Sequence, residues 1–248
     1  MQNIRLTLQY DGTRYAGWQK PEKDSRSRPG RTIASRLQSV IGQITGELPE
    51  LHAGTRTDPG VHALAQTVSF QTGSDLTPAD FHRALNEALP MDIAVLSAET
   101  AGQRFRADLT ARARTYQYRI CTAPVCNPFT AAFTAHISPA PAHSAMQEGA
   151  AFLIGKHDFR NFCGIRKKKG TVKEILDISI TEAGPDLVLI ELTADDFLYR
   201  MPALIIGTLL EIGLGRRSPD CIKAIFEGTE KAGAPCETKG LLLKSISY

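Results

Sequence analysis

Residues 53–65 read AGTRTDPGVHALA and place one carboxylate, Asp58, in the middle of a stiff turn. Gly54 and Gly60 admit backbone angles closed to other residues, and Pro59 fixes its own φ, so such a loop holds Asp58 in one place with Arg56 two residues before it. The same letters also suit a plain turn in which the Asp58 side chain only caps the backbone at Gly60. Short strands are expected on either side of the loop, the second over residues 66–71. Upstream, Ile4, Leu6, Leu8 and Tyr10 alternate with Arg5, Thr7 and Gln9, which predicts a half-buried strand ending at Asp11-Gly12.

Further out, Thr32 can cap a helix carrying Ile33, Leu37, Val40, Ile41 and Ile44, with Gly46 near its end. Thr77-Pro78 opens a second helix with Phe81, Leu85 and Leu89 on one face, and Ile93, Val95 and Leu96 suggest a strand. Beyond residue 104, Tyr116, Tyr118 and Ile120 alternate as another strand, and a proline-rich loop covers 121–143. A helix is expected near 144–154, then a hairpin of 172–180 and 187–192 turning at Gly184-Pro185. Helices over 201–212 and 219–226 and a strand over 241–246 complete the pattern. Strands and helices interleave without the regular βαβα order of a parallel sheet. The fold class read here is α+β, two lobes over residues 1–103 and 104–248 sharing a mostly antiparallel sheet with a central cleft.

Of the 248 residues, 42% are hydrophobic and 22% charged, which excludes wholesale disorder, and a chain this long can bury a sizeable core. No stretch approaches the ~18 apolar residues of a membrane span, and the start lacks a signal-peptide pattern, so a cytoplasmic protein without membrane partner is expected. Cys121, Cys126, Cys163, Cys221 and Cys236 form an odd set without a C-x-x-C pair, and the six histidines fall in no metal-binding pattern. Neither a disulfide framework, a metal nor a cofactor is called for. The net charge of +3 is unevenly spread: residues 20–31 carry five basic and two acidic side chains, 104–119 five and one, and 166–173 five and none. Cations concentrated in this way suit a phosphate backbone.

The string Arg56-Thr57-Asp58-Pro59-Gly60-Val61-His62-Ala63 resembles the R-T-D-x-G-V-H-A signature of the tRNA pseudouridine synthase A family. Seven further pieces follow the family order: YDGTRYAGWQ at 10–19, FRA at 105–107, ARTYQY at 113–118, HDFRNFC at 157–163, FLYRM at 197–201, IGTLL at 206–210 and GLLL at 240–243. The resemblance implies a pseudouridine synthase fold and cofactor-free isomerisation of uridine to pseudouridine near positions 38–40 of the tRNA anticodon stem-loop. It implies Asp58 as the catalytic carboxylate, acting either by attack on C1′ or by removing a ribose proton. Arg56 matches the arginine that helps fill the space left by a flipped nucleotide, and Tyr116 the tyrosine lying against the flipped base; Leu241 falls in the G-L-L-L piece and joins them as a substrate contact. Lys20, Lys23, Arg26, Arg28 and Arg31, with Arg166, Lys167, Lys168 and Lys169, would track tRNA phosphates. A homodimer holding tRNA across both subunits is also implied.

Two departures stand out. The family carries an arginine two residues after the methionine of F-L-x-x-M-V-R, ion-paired with the catalytic aspartate, and here Ala203 occupies that place. Arg200 could substitute if it shared a helical face with that position, whereas Pro202 favours a helix start near Met201 that leaves Arg200 outside. The segment A-P-C-E-T-K-G-L-L-L, residues 234–243, also differs from the shorter family A-P-A-R-G-L. The alternative reading is a diverged tRNA-binding protein that keeps the scaffold with weak or no chemistry.

Overall fold

The computed structural model describes residues 1–19, 32–166 and 169–248. The chain divides into two compact units, Met1–Arg112 with Leu243–Tyr248, and Ala113–Leu242. The sequence places a boundary at 103/104, but residues 104–112 stay with the first unit. There the Asn3 amide donates to the Phe105 carbonyl at 2.9 Å, and the Ala107 N–H donates to the Ser69 hydroxyl at 3.0 Å.

The first unit contains β1 (Gln2–Tyr10), α1 (Ile33–Thr45), β2 (His52–Ala53), β3 (His62–Thr72), α2 (Pro78–Ala88), β4 (Ile93–Ala101) and the single turn α3 (Ala107–Thr110). Strand β1 lies between β3 and β4, antiparallel to both, and β2 adds to β3. The alternation in β1 is realised as burial: Ile4, Leu6 and Leu8 are fully covered. Helix α1 begins at a capping box in which Thr32 Oγ1 accepts from the Ser35 N–H, and it ends on Gly46 at φ +74°. Its residues Ile33, Leu37 and Ile41 reach the core. Strand β3 starts four residues earlier than the sequence suggests, because Gln66, Thr67, Ser69 and Thr72 are buried polar residues that hide its period. As a result the Asp58 loop runs almost directly into the sheet.

The second unit contains β5 (Ala113–Cys121), β6 (Ala135–His136), α4 (His143–Ala151), β7 (Gly155–Asp158), β8 (Val172–Gly184), β9 (Leu187–Ala194), α5 (Met201–Gly213) and α6 (Cys221–Glu227). Its strands run in the order β5-β9-β8-β7, each pair antiparallel, with β6 parallel to β5. Phe159, Phe162, Leu192, Ile205, Leu209, Ile222 and Ile225 form its core. Strand β10 (Leu241–Ser247) gives Leu241 and Leu242 to the second unit and its remainder to the first, beside β3. The fold is α+β with mostly antiparallel pairing. Among the described residues no helix is long and apolar enough to cross a membrane.

Candidate active site

Asp58 opens a four-residue turn. Its backbone carbonyl accepts from the Val61 N–H at 3.1 Å, Pro59 takes the second position, and Gly60 takes the third at φ +78°. That is the chemistry of a type II turn, in which only a residue free of a Cβ penalty fits the third position. The turn closes on the Asp58 main chain, so the D-P-G string does not need the carboxylate to cap Gly60. The Gly60 N–H is instead taken by the Tyr15 carbonyl at 3.2 Å. Asp58 itself is half-buried, and Arg56 is exposed.

Residues 10–18 form the bed of this turn. The Trp18 N–H donates to the Thr57 carbonyl at 3.0 Å, and the Tyr10 and Thr57 hydroxyls lie 2.8 Å apart in the interior. Two glycines allow this approach. A Cβ on Gly12 would lie 2.0 Å from the Val61 carbonyl oxygen, and one on Gly17, already at φ +85°, would lie 2.6 Å from the Thr57 oxygen and 3.1 Å from the Asp58 carbonyl carbon. Burial pushes the Tyr10 phenol up to about 12, beyond what its bond to Thr57 offsets, so it remains a neutral hydrogen-bonding group. His62 Nδ1 sits 3.1 Å from the Gly12 backbone N and 3.1 Å from Asp11 Oδ1. Burial would raise the Asp11 carboxyl, but hydrogen bonds from Thr13, at 2.9 and 2.6 Å, and the neighbouring His62 hold it below the ordinary carboxylate value.

In the second unit Tyr116 is almost fully buried on β5, its ring edge-on to Phe197 with centroids 5.1 Å apart. Leu241 is likewise buried. Helix α5 starts at Met201 with Pro202 in its first turn, leaving Arg200 as the residue before it at φ +59°. Among the described residues Arg200 alone adopts a positive φ without being glycine. It is exposed, with its guanidinium 5.6 Å from the Tyr199 ring centre, and it does not share a helical face with residue 203. Arg166 and Lys169 are exposed, whereas Lys20, Lys23, Arg26, Arg28, Arg31, Lys167 and Lys168 lie outside the described residues. Among the described residues no cluster of histidine, cysteine or acidic side chains could hold a metal.

Sequence reasoning overlooks the Tyr10–Thr57 and Asp11–His62 pairs. Each joins two segments some 50 positions apart in the chain, and the only signal for them is a polar residue at an inward position of a strand end.

The family model described as tRNA pseudouridine synthase matches residues 7–108 and 150–248. The chain belongs to the tRNA pseudouridine synthase family. A relative from Clostridium tetani, tRNA pseudouridine synthase A 2, is 39% identical over 99% of this chain and 98% of its own length. A protein of the same description from Bacillus anthracis is 34% identical over 100% of both. A chain in a structure of an H/ACA ribonucleoprotein bound to a substrate RNA containing 2′-deoxyuridine is similar over 84% of this chain and 53% of that one, at TM-score 0.34 and 12% identity. Ala203, where the resemblance leads one to expect an arginine, is buried, and its carbonyl accepts from the Cys236 N–H at 2.9 Å.

Proposed function

We propose that this chain isomerises uridine to pseudouridine in the anticodon stem-loop of tRNA, around positions 38–40, with Asp58 as the catalytic carboxylate. The observation that carries this reading is the Asp58 turn, clamped by the Gly60 N–H donating to the Tyr15 carbonyl, by the Trp18 N–H donating to the Thr57 carbonyl, and by the close approach of Gly12 and Gly17. The reaction breaks C1′–N1, turns the uracil, joins C1′ to C5, releases the C5 proton to solvent and returns one proton to N1, so substrate and product are isomers and no co-reactant is consumed. Positive charge grows on the ribose as the first bond breaks, and a carboxylate held in place stabilises it without reorganisation. Attack on C1′ and removal of a ribose proton both require that fixed position.

A stacked uridine must leave the helix to expose C1′ and C5, at a cost of a few kcal/mol. Arg56, exposed and two residues before Asp58, is suited to fill the gap, and contact of the base with Tyr116 would return part of that cost, stacking being worth ~1–3 kcal/mol. The exposed Arg166 and Lys169 suit the phosphate backbone. The family resemblance brings with it a cytoplasmic homodimer, whose stoichiometry sedimentation with and without tRNA measures.

The test is tritium release from tRNA labelled at uridine C5. Release by the wild type and none by Asp58→Ala is expected. Equal release by both removes Asp58 from the mechanism, and none by either, with tRNA still bound, favours the diverged binder to which Ala203 points.

A further inference from the structure

Asp92 belongs neither to the Asp58 loop nor to the bed of residues 10–18, yet two of its groups take hold of that bed. It lies in the turn between α2 and β4, which closes with the Ile93 N–H donating to the Pro90 carbonyl at 2.9 Å. The register of the sheet brings it there. Tyr10 at the end of β1 pairs with Ile93 at the start of β4, and the Asp11 N–H continues that ladder by donating to the Asp92 carbonyl at 2.9 Å. The side chain then reaches the far end of the same strip, where Tyr15 Oη donates to Asp92 Oδ1 at 2.7 Å. Residues 11–15 are therefore held at both ends by one residue, once through its main chain and once through its carboxylate.

Between those holds the strip is folded tightly. The Thr13 N–H and hydroxyl donate to Asp11 Oδ1 at 2.9 and 2.6 Å, and the Tyr15 N–H donates to the Gly12 carbonyl at 2.9 Å. The Tyr15 carbonyl in turn accepts from the Gly60 N–H at 3.2 Å, so the residue that Asp92 grips by its phenol grips the catalytic turn by its main chain. Burial, and then the Asp92 carboxylate, raise the Tyr15 phenol above its ordinary value, which keeps it in the donor form that the bond needs. The bond is short and charge-assisted. Asp92 also lies 3.5 Å from Arg14 Nη2, but that side chain is 81% exposed against 14% for Asp92, so water screens the ion pair and leaves the phenol as the main partner. We propose that Asp92 is a positioning residue of the isomerisation, fixing the place of the Asp58 turn by holding Tyr15. The inference rests on the functional reading above and deepens it, naming a group far from the motif on which the placement of the carboxylate depends.

Asp92→Ala, Asp92→Asn and Tyr15→Phe are compared with the wild type for tritium release from tRNA labelled at uridine C5, below the unfolding transition of each. Asp92→Ala is expected to lower kcat about tenfold with KM within about twofold, as a small displacement of a reacting group requires. Asparagine keeps an oxygen for the phenol, so Asp92→Asn should recover kcat to within about threefold of wild type. Tyr15→Phe should lower kcat as Asp92→Ala does, and the double variant no further, because both delete one bond. An unchanged kcat in Asp92→Ala, a loss in KM alone, no recovery in Asp92→Asn, or losses that multiply in the double variant overturns the proposal. Should Asp92→Ala fail to fold, Tyr15→Phe carries the test, since it deletes a single oxygen and leaves Asp92 beside Arg14. Hydrogen exchange at the Gly60 amide reads the hold on the turn without turnover: it should quicken in Asp92→Ala and Tyr15→Phe and return towards wild type in Asp92→Asn. Exchange at the wild-type rate in both Asp92→Ala and Tyr15→Phe overturns the proposal. If the wild type itself releases no tritium while exchange responds in this way, the isomerase reading fails and the hold of Asp92 on the turn stands.

Discussion

Gly17→Ala probes the clamp most directly. The new methyl would stand 2.6 Å from the Thr57 carbonyl oxygen and 3.1 Å from both the Asp58 carbonyl carbon and the Pro59 nitrogen. Every obstructing atom is backbone, so no rotamer change relieves the clash; the Asp58 loop itself must move by several tenths of an ångström. A left-handed alanine costs about 1–2 kcal/mol, and overpacking about 1–3 kcal/mol. The stiffer unfolded chain returns about 0.4–1 kcal/mol. A net loss of about 2–4 kcal/mol lowers Tm by about 6–12 °C at roughly 3 °C per kcal/mol. Gly46→Ala supplies the reference, since Gly46 has nearly the same φ, +74°, with nothing within 4 Å of the added atom; it keeps the strain and omits the clash. That variant should lose only ~3 °C. The sole tryptophan, Trp18, is buried beside Gly17 and reports unfolding of this unit by fluorescence. Below the transition, kcat for tritium release should fall about 10–100-fold in Gly17→Ala, as a carboxylate displaced by up to an ångström would require, and stay unchanged in Gly46→Ala. Equal Tm and equal kcat for the two variants would refute the claim that this contact positions Asp58.

Tyr10→Phe removes the buried 2.8 Å bond to Thr57 and should cost about 1 kcal/mol in denaturant titration. Asp11 has a lowered folded pKa, so it adds stability above its unfolded value of 3.8 that is lost as pH falls through the lower folded one. Asp11→Asn should therefore reduce Tm at neutral pH and flatten the loss of Tm below pH 3.8. Arg200→Gly relieves a positive φ that Arg200→Ala keeps, so the glycine variant should be the more stable by about 1 kcal/mol. Both should lose activity alike if the guanidinium serves the reaction, whereas activity within twofold of wild type in both would remove Arg200 from it.

Much of the fold is legible because period and caps agree. The β1 alternation, the Thr32 and Thr77 capping residues and the left-handed Gly46 each mark in sequence what the structure realises. Strand β3 is less legible, since five buried polar residues, His62, Gln66, Thr67, Ser69 and Thr72, break its alternation. The fate of Arg200 depends on Pro202, which starts α5 at Met201 and leaves the preceding residue in a left-handed conformation. The site is legible as a motif but not as a mechanism of support. Nothing in the letters Y-D-G-T-R-Y-A-G-W shows that both glycines serve contact with the turn of residues 57–61, because neither is adjacent to it in the chain.

Ala203 and the segment 234–236 meet in the second unit. The Cys236 N–H bonds the Ala203 carbonyl, and one turn along, the Ala234 carbonyl oxygen would lie 1.9 Å from a Cβ on Gly207. Residues 203 and 207 share a helical face, so residues 234–236 lie along it. The segment ends in a Cys236 thiol pushed up to about 12 by burial, beyond what its hydrogen bond to Tyr118 offsets, and therefore neutral. An arginine at 203 would start from a nearly covered position and would need a carboxylate to balance a buried cation. Alanine imposes no such demand. The loop that carries Asp58 is held by contacts within its own unit, to Gly12, Tyr15, Gly17 and Trp18. Because every one of those contacts is made by backbone, a single methyl group at Gly17 is expected to displace Asp58 whatever side chain stands at position 203.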